Sequence, residues 1–511
     1  MLARHNASRV NWEALVVAAA AGFVAALLAW LGPPGTDFAA HAYERALFLR
    51  HGFVLWDNYW YAGRYSFVGY SVLYYPLAAL LGIRLLAVLG AAVAAFAFAE
   101  LVGARWGTAA RWPSLAFALL WAGFVLTGAF PFALGVTFAL VALRVLQARR
   151  RWLFALCVVL TLAASPVALV LLAIVLLGLA AACGWQRWPA IAVGAAVVTE
   201  LVLILLFPSG GHYPFPASEA VAALGFCAAG LACTWRVAEA RVLRPVFAAY
   251  AVAVVAVWIV PTDLGENVAR FRYLAFPLAL LVLALRRWRP VPVAVLVAAA
   301  ALAWNVTPLV AGWNRGAQDV TKSAAVWRAP LGWLHAHLRA GDRVEAVDTT
   351  AHWPAYYLPE SGIPIVRGWF RQEDFPTNAI LYRRFTATEY VDWLRSLGVA
   401  YVVLSDAPPD FSSRREAAIV PTELRRVFAS PHIAIYAVPR PRAMTTATVL
   451  AFRQSSLTVR VARAGAYRIA VHWSPYWRAS SGTLSRASDG MIELRTSDAA
   501  TVRLTFRFGQ G

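Results

Sequence analysis

Long apolar runs separated by short polar connectors occupy the chain from residue 12 to residue 312. The runs lie at 12–31, 67–83, 85–104, 113–129, 132–148, 152–164, 166–183, 189–207, 219–235, 245–260, 272–286 and 291–312. A membrane-spanning helix needs about 20 mostly apolar residues, and most of these runs approach that length. The pattern therefore predicts a polytopic α-helical membrane domain over residues 1–312.

Arginines mark the connectors that we expect in the cytoplasm, because cytoplasmic loops of membrane proteins are enriched in basic residues. The arginines cluster at 148–152, 236–244 and 286–290, with a weaker group at 105–111. Arg4 and Arg9 precede the first run, which is longer than the core of a signal peptide and is followed by no A-x-A cleavage site. We therefore interpret it as a retained span with a cytoplasmic N-terminus.

The sidedness of the connectors decides whether the run at 67–83 crosses the membrane. With residues 32–66 outside and the next arginine connector inside, only one of the runs at 67–83 and 85–104 can cross. The stretch "VGYSVLYYPLAALLG" is short, rich in Tyr and interrupted by Pro76, as is typical of a helix lying in the interface or re-entering. The other runs predict about eleven spans, with the connector 261–273 and the C-terminus outside.

Past residue 313 the pattern changes from apolar runs to short strands. The segments "RVEAVD", "VAYVVLSD" and "IAIYAVP" alternate with helical stretches, which predicts an α/β domain at 313–442. From about residue 443 the helical stretches stop, and strands separated by Gly, Ser and Asp predict a β-sandwich-like domain at 443–511. We expect both domains to be exported.

The composition agrees with a membrane protein, since 61% of the residues are hydrophobic and the mean hydropathy is +0.61. The net charge of +20 is carried almost entirely by arginine, because Lys322 is the only lysine. We attribute this charge to cytoplasmic loops and to contact with anionic membrane lipid. The sequence contains no helix-turn-helix, zinc-finger or P-loop pattern, so no nucleic-acid partner is expected.

The cysteines do not predict a disulfide framework. All four (Cys157, Cys183, Cys227 and Cys233) fall in apolar segments, and none falls in the C-terminal region. The chain has no CxxC metal motif. We interpret these residues as small buried hydrophobic side chains.

The first outer loop carries the most informative polar residues. Asp37 and His41 are spaced i and i+4, so they share one face of a helix, and Glu44 follows near that face. A carboxylate at the membrane surface can take a proton from an acceptor hydroxyl, and a histidine can support it or bind a phosphate. Asp37 could equally cap the helix. A divalent metal is possible in principle, but two ligands at one spacing do not indicate one.

Aromatic residues crowd the same loop, Trp56 and Trp60 among them. Such residues are typical of the belt that anchors membrane proteins at the interface. They could also stack on a sugar ring or pack on an isoprenoid tail. We therefore include Trp56 and Trp60 among the candidate substrate-binding residues.

A second informative stretch is "DLGENVARFRYLAFP" at 263–277. It places Glu266, Asn267, Arg270 and Arg272 in one outer connector, where arginines run against the positive-inside tendency. A phosphate ligand is one explanation, because guanidinium offers paired planar donors to phosphate. A salt bridge between Glu266 and Arg270 at i,i+4 is the alternative. Arg84 is a weaker phosphate-binding candidate.

These features resemble the GT-C superfamily of membrane glycosyltransferases, which includes protein O-mannosyltransferases, aminoarabinose transferases and mycobacterial arabinofuranosyltransferases. Asp37, in "TDFAAH", matches the acid that this superfamily carries in its first outer loop. The stretch "WDNYWYAGR" followed by "YYPL" is similar to poorly characterised bacterial membrane proteins labelled pyruvoyl-tetrahydropterin-synthase-related. The chain lacks the zinc histidines of a pterin synthase, so that activity is not implied.

The resemblance implies a bacterial cell-membrane enzyme that uses a polyprenyl-phosphate sugar donor. The acceptor would be a glycan, lipid or protein outside the cytoplasm. Asp37 would be the general base of an inverting transfer, His41 would support it, and Arg270, Arg272 and Arg84 would hold the leaving phosphate. The paired acid of some GT-C families is absent, which leaves any metal requirement unassigned.

Two functions of other classes fit parts of the same pattern. Broken spans and charged residues within a membrane domain also suit a transporter or flippase for a lipid-linked glycan, although the sequence shows no inverted repeat. The stretch "HWSPYW" at 472–477 could serve a non-catalytic membrane protein whose β-sandwich binds carbohydrate by stacking.

Overall fold

The structure is a computed structural model that describes residues 11–208 and 211–509, so Arg4 and Arg9 lie outside the described residues. The chain divides into two compact units. The first unit comprises the described residues up to Gly35, together with Tyr70–Pro208 and His212–Asn314. The second comprises Thr36–Gly69, Gly211 and the residues from Arg315 onward.

Helices dominate the first unit, and short helices alternate with strands in the second. The helices are α1 (Trp12–Leu31), α2 (Phe38–His51), α3 (Tyr74–Leu81), α4 (Ile83–Trp106), α5 (Arg111–Ala122), α6 (Phe130–Gln147), α7 (Arg151–Ala164), α8 (Pro166–Cys183), α9 (Arg187–Leu206), α10 (Ala217–Thr234), α11 (Leu243–Ile259), α12 (Ala275–Leu285), α13 (Val291–Gln318), α14 (Ala324–His337), α15 (Pro354–Glu360), α16 (Ala387–Ser396) and α17 (Arg414–Glu423). The strands are β1 (Trp56–Asp57), β2 (Arg64–Tyr65), β3 (Arg343–Ala346), β4 (Val399–Ser405), β5 (Arg425–Ala429), β6 (Ile433–Ala437), β7 (Thr448–Arg453), β8 (Ser456–Val461), β9 (Gly465–His472), β10 (Trp477–Ala479), β11 (Thr483–Arg486), β12 (Met491–Thr496) and β13 (Ala500–Phe506).

Eight segments of the described residues are long and apolar enough to cross a membrane, which makes this a multi-pass membrane protein. One of them, Ile83–Leu126, joins α4 and α5, while α7 and α11 are shorter apolar helices. The predicted count of about eleven spans is therefore not confirmed. The helix in the stretch 67–83, α3, has eight residues and is about 12 Å long, too short to cross a bilayer.

The predicted helix break between the seventh and eighth helices is present. Ser165 has extended backbone angles, and its hydroxyl accepts a hydrogen bond from the Ala168 amide at 3.4 Å. Pro166 opens α8 at a position where its missing N–H has no helical partner to lose. Gly135 of α6 lies so close to this break that a Cβ would stand 2.6 Å from the Cβ of Ala168. A small residue is therefore required where the two helices meet.

The α11 helix packs closely on α8 and α10 through two glycines. A Cβ at Gly178 would lie 2.5 Å from the Cα of Val246, and one at Gly230 would lie 2.6 Å from the ring of Phe247. Association of helices in lipid depends on close van der Waals packing, which small residues permit. These glycines therefore locate two tight helix contacts of the first unit.

The α/β part of the second unit is built on a four-stranded sheet with strand order β3-β4-β6-β5. The β3 and β4 strands are parallel, and the other two pairs are antiparallel. Val402 from β4 and Leu394 from α16 lie in one buried core with Val420 from α17. The alternation of strands and helices predicted for this region is confirmed.

Two antiparallel sheets follow, with orders β10-β13-β8-β7 and β11-β12-β9. Alternate residues are buried along β8, at Leu457, Val459 and Val461, and along β13, at Val502 and Leu504. This two-residue period marks a sheet with one face in a core. The C-terminal region thus consists of several sheets, as the strand pattern predicted.

The first outer loop folds as part of the second unit, although the sequence analysis placed it within the domain 1–312. The Ile365 amide donates to the Tyr59 carbonyl at 2.9 Å, and the Asn58 amide donates to the Gln454 carbonyl at 2.8 Å. The His472 amide also donates to a carbonyl of this loop, at 3.0 Å. The loop is therefore joined by backbone hydrogen bonds to both C-terminal regions.

Candidate functional site

Asp37 stands at the N-cap of α2, yet its side chain does not cap the helix. Its Oδ1 instead accepts a hydrogen bond from the indole Nε1–H of Trp369 at 3.0 Å. The described residues donate no other side-chain hydrogen bond to this carboxylate, which is half-buried. The carboxylate is therefore positioned by a donor from the α/β region, and its second oxygen has no such donor.

His41 lies one turn further along α2, on the same side as Asp37, which confirms the predicted helical spacing. Its buried ring meets the edge of Trp369, with 5.1 Å between ring centroids. The structure thus brings Asp37 and His41 together on one tryptophan, and that tryptophan was not among the predicted site residues.

Residues 367–371, which we call the presenting segment, hold Trp369 against α2. The buried Arg367 donates to the hydroxyls of Ser413 and Ser412 at 2.6 and 2.5 Å and forms an ion pair with Asp374 at 3.3 Å. Arg371 forms an ion pair with Asp410 at 2.6 Å. Both ends of the segment are therefore tied down by charge-assisted bonds.

The middle of the presenting segment packs on the first outer loop. A Cβ at Gly368 would lie 2.7 Å from the Tyr61 ring and 2.8 Å from the Trp60 ring. The Phe370 carbonyl accepts a hydrogen bond from the Tyr61 hydroxyl at 2.7 Å, and the Arg64 guanidinium lies 4.4 Å from the Phe370 ring centroid. Only glycine fits at position 368 without displacing an aromatic ring.

A buried aspartate–histidine pair lies near Asp37. The Nδ1 of His352 is 2.7 Å from Asp348 Oδ2. Burial alone would lower the pKa of His352, but the charges of Asp348, Asp410 and Asp37 outweigh it and raise that pKa above its usual value. Arg371 and His352 in turn hold the pKa of Asp410 well below its usual range, despite its burial. The surroundings of Asp37 thus carry charges of both signs.

The other acids of the first outer loop are occupied by structural contacts. Arg64 pairs with Glu44 at 2.9 Å, and Asp57 accepts hydrogen bonds from Tyr43 at 3.0 Å and Gln454 at 2.5 Å. Burial raises the pKa of Glu44 to about 7, although Arg64 acts in the opposite direction. Both carboxylates are buried, whereas Asp37 is half-buried.

Trp56 and Trp60 are core residues of the second unit, with relative exposures of 1% and 0%. Trp56 stacks on Phe506 with ring centroids 5.0 Å apart, and the Trp60 indole donates to the Ala355 carbonyl at 2.9 Å. Neither ring offers an open face for a sugar or an isoprenoid tail. Both rings pack the first outer loop against the C-terminal region.

The other predicted residues belong to the first unit. Arg272 is paired with Glu219 at 2.8 Å and with Glu266 at 3.8 Å, so Glu266 pairs with Arg272 where the alternative interpretation paired it with Arg270. Arg270 lies 5.0 Å above the ring of Phe132 and forms no ion pair in the described part of the chain. Two further candidates lie in this unit, the buried Asn267 and the exposed Arg84 near the start of α4.

Within residues 11–208 and 211–509, no group of three or more His, Cys, Asp or Glu side chains is arranged to hold a metal ion. Asp37 and His41 would supply two ligands at most.

No protein-family model and no curated protein matches this sequence. Among solved structures, two cryo-EM structures of the arabinofuranosyltransferase AftD from mycobacteria are similar over 87% of this chain, with TM-scores of 0.50 and 0.51 and identities of 20% and 18%. The chain spans 41% and 42% of the length of those two chains. The archaeal oligosaccharyltransferase AglB from Archaeoglobus fulgidus is similar over 77% of this chain and 69% of its own, with a TM-score of 0.35 and 15% identity.

The likeness to AftD shows that this chain shares the fold of that protein over most of its length. It confirms the resemblance stated from the first outer loop, at the level of fold. The resemblance to proteins labelled pyruvoyl-tetrahydropterin-synthase-related stays a prediction.

Proposed function

We propose that this protein is a membrane glycosyltransferase that moves a sugar from a polyprenyl-phosphate donor to an acceptor outside the cytoplasm. Asp37 is the general base. The observation that carries this proposal is the Asp37 carboxylate, which leaves the helix cap unmade and has one oxygen held by Trp369. A carboxylate oriented in this way, with a second oxygen to receive a proton, is suited to general-base catalysis. The GT-C fold supports the reaction class.

The reaction is a displacement at the anomeric carbon of the donor sugar. The acceptor hydroxyl gives its proton to Asp37 as its oxygen forms the new bond to that carbon. The bond between the carbon and the phosphate oxygen breaks, and the polyprenyl phosphate leaves with the bonding electrons. Glu44 and Asp57 are held in buried contacts, so neither serves as a second, nucleophilic carboxylate. A single displacement with inversion of configuration follows.

The leaving phosphate gains charge as the bond breaks and needs a cation. The sequence prediction offers Arg270 and Arg84 for this role, and we keep both as candidates. The guanidinium of Arg270 has planar paired donors that match two phosphate oxygens. Arg272 is already paired with Glu219 and Glu266. The proposal assigns no substrate contact to Trp56 or Trp60, whose rings are buried.

The test is Asp37→Asn in purified protein reconstituted in nanodiscs and supplied with a panel of polyprenyl-phosphate sugars. Asn can still accept the hydrogen bond from Trp369, and no cap bond is lost, so the variant should fold normally. It cannot accept a proton, and loss of a general base lowers kcat by about 10²–10⁴-fold. Sugar transfer and release of polyprenyl phosphate are measured together.

Asp392→Asn is the matched control, because Asp392 is an exposed carboxylate on α16. It should transfer sugar at the wild-type rate. Wild-type activity in Asp37→Asn, or transfer with retention of configuration, contradicts the assignment of Asp37 as the base.

A further inference from the structure

Asp37 and Trp369 are 332 residues apart in the sequence, and their side chains are joined by one hydrogen bond of 3.0 Å. An aspartate at an N-cap ordinarily accepts a bond from a backbone amide of the first turn. Asp37 does not do so. Its orientation is set instead by a single indole N–H.

We propose that Trp369 is a positioning residue for the general base, and that the presenting segment 367–371 is part of the catalytic machinery. This inference rests on the proposed role of Asp37. The indole N–H fixes the rotation of the carboxylate through Oδ1, so that Oδ2 keeps one direction.

The presenting segment is built to hold this one contact. Arg367 is buried and bonded to three side chains, and Arg371 is paired with Asp410. Gly368 lets the chain approach Trp60 and Tyr61 within van der Waals contact. Because the segment is held on both sides of Trp369, this side chain is already ordered. It therefore loses little conformational entropy when it binds the Asp37 carboxylate.

The orienting contact matters because proton transfer depends steeply on geometry. The base must stand within hydrogen-bond reach of the hydroxyl in the reacting complex. A displacement of about 1 Å can cost about 10²-fold in rate. A carboxylate that rotates would spend part of its time outside that geometry, even with the substrate bound.

The decisive variant is Trp369→Phe, which keeps an aromatic ring against His41 and removes the indole N–H. We expect kcat to fall by about 10- to 100-fold, with the KM values for donor and acceptor within about twofold of wild type.

Trp393→Phe is the matched control. Trp393 also donates its indole N–H, to the Thr377 carbonyl at 3.1 Å, and it lies in the core of the same unit without contacting Asp37. It should keep the wild-type kcat and the wild-type KM values. An equal loss of kcat in both variants would assign the effect of Trp369→Phe to general loosening of the fold.

A second measurement does not depend on sugar transfer. Cryo-electron microscopy of each variant in nanodiscs reports the orientation of the Asp37 carboxylate directly. The carboxylate should keep one orientation in wild type and in Trp393→Phe, where the hydrogen bond from Trp369 is present. It should adopt more than one orientation in Trp369→Phe.

The outcomes separate the two proposals. If wild type transfers sugar and Trp369→Phe retains full kcat and an unchanged Asp37 orientation, Trp369 does not position the base, while the proposed function stands. If wild type transfers no sugar from any donor in the panel, the proposed function falls and the catalytic part of this inference falls with it. The structure of Trp369→Phe then still decides whether Trp369 orients Asp37.

Discussion

Glu44 and Arg64 form an ion pair of 2.9 Å in the interior of the second unit, where 1% and 3% of their side chains are exposed. Glu44 lies on α2 and Arg64 on β2, and the Arg64 guanidinium also lies against the Phe370 ring. The pair therefore joins the helix that begins at Asp37 to the segment that carries Trp369. A charge buried here is stable only while its partner is present.

Removal of one partner of this pair should destabilise the protein strongly. We expect Glu44→Ala to lower the free energy of unfolding by about 3–5 kcal/mol, because it leaves the Arg64 charge buried without a counter-ion. The double variant Glu44→Leu with Arg64→Met should be less destabilised than Glu44→Ala, since no buried charge remains. Thermal unfolding in detergent measures both. Glu360→Ala breaks the exposed pair with Arg50 and should cost about 1 kcal/mol or less.

Two buried carboxyls should make the second unit less stable as the pH rises. Burial raises the pKa of Glu345 well above its usual value, and that of Glu416 is raised as well. In the unfolded chain both groups ionise near pH 4.5, whereas in the folded protein they stay protonated to higher pH. The free energy of unfolding is therefore highest below pH 4.5 and falls as the pH rises toward the folded pKa values.

Glu345→Gln should therefore raise the melting temperature at pH 8 relative to wild type, by about 2 °C or more, and have a smaller effect at pH 4.5. Melting curves across this pH range check the sign of the difference. Glu493→Gln, at a side chain far more exposed than Glu345, is the control and should show no pH-dependent difference. A Glu345→Gln variant that melts at or below the wild-type temperature at pH 8 would contradict the expected protonation of Glu345.

The close approach at Gly368 should not tolerate a methyl group. Gly368→Ala forces the Trp60 or Tyr61 ring to move, because the new Cβ would stand 2.7–2.8 Å from both. Overpacking of this kind costs about 1–3 kcal/mol. The melting temperature should fall, and kcat should fall with it if the presenting segment moves. Gly332→Ala in α14 meets no atom within 4 Å and should be neutral or slightly stabilising. An unchanged Gly368→Ala protein would show that the aromatic rings yield freely.

The predicted topology is testable with single cysteines in a Cys183→Ser background, since Cys183 is the one exposed native cysteine. Pro261→Cys should react with a membrane-impermeant maleimide in intact cells, because the arginine distribution places the connector 261–273 outside. Arg150→Cys and Arg287→Cys should react only after permeabilisation. All three native residues are exposed. Labelling of Arg150→Cys from outside would reverse the assignment of the connectors.

Local patterns predicted the helices of the membrane domain, because the apolar length and the start and stop signals of each helix lie within its own segment. A run such as 166–183 is apolar along its whole length, and the Ser165–Pro166 step ends one helix and starts the next without reference to the rest of the chain. The same is true of α2, whose start at Asp37 follows a Gly- and Pro-rich stretch. Strand β5, "RRVFA", was not predicted, because its mostly exposed and charged residues lack the buried alternation of its neighbour β6.

The sequence by itself determined the class of the protein. It contains apolar runs of membrane length, connectors that differ in their arginine content, an acid after the first span, and strands in place of spans past residue 313. These properties depend on solvation and on the period of each element, and both are local. Only the tertiary structure decided that residues 36–69 fold with the C-terminal region and that Asp37 is held by Trp369 rather than used as a cap. It also decided that Arg272 is paired, whereas Arg270 forms no ion pair with any residue that the structure describes. Such contacts join residues far apart in the chain, and they are set by which surfaces pack together, so no spacing or composition within either segment records them.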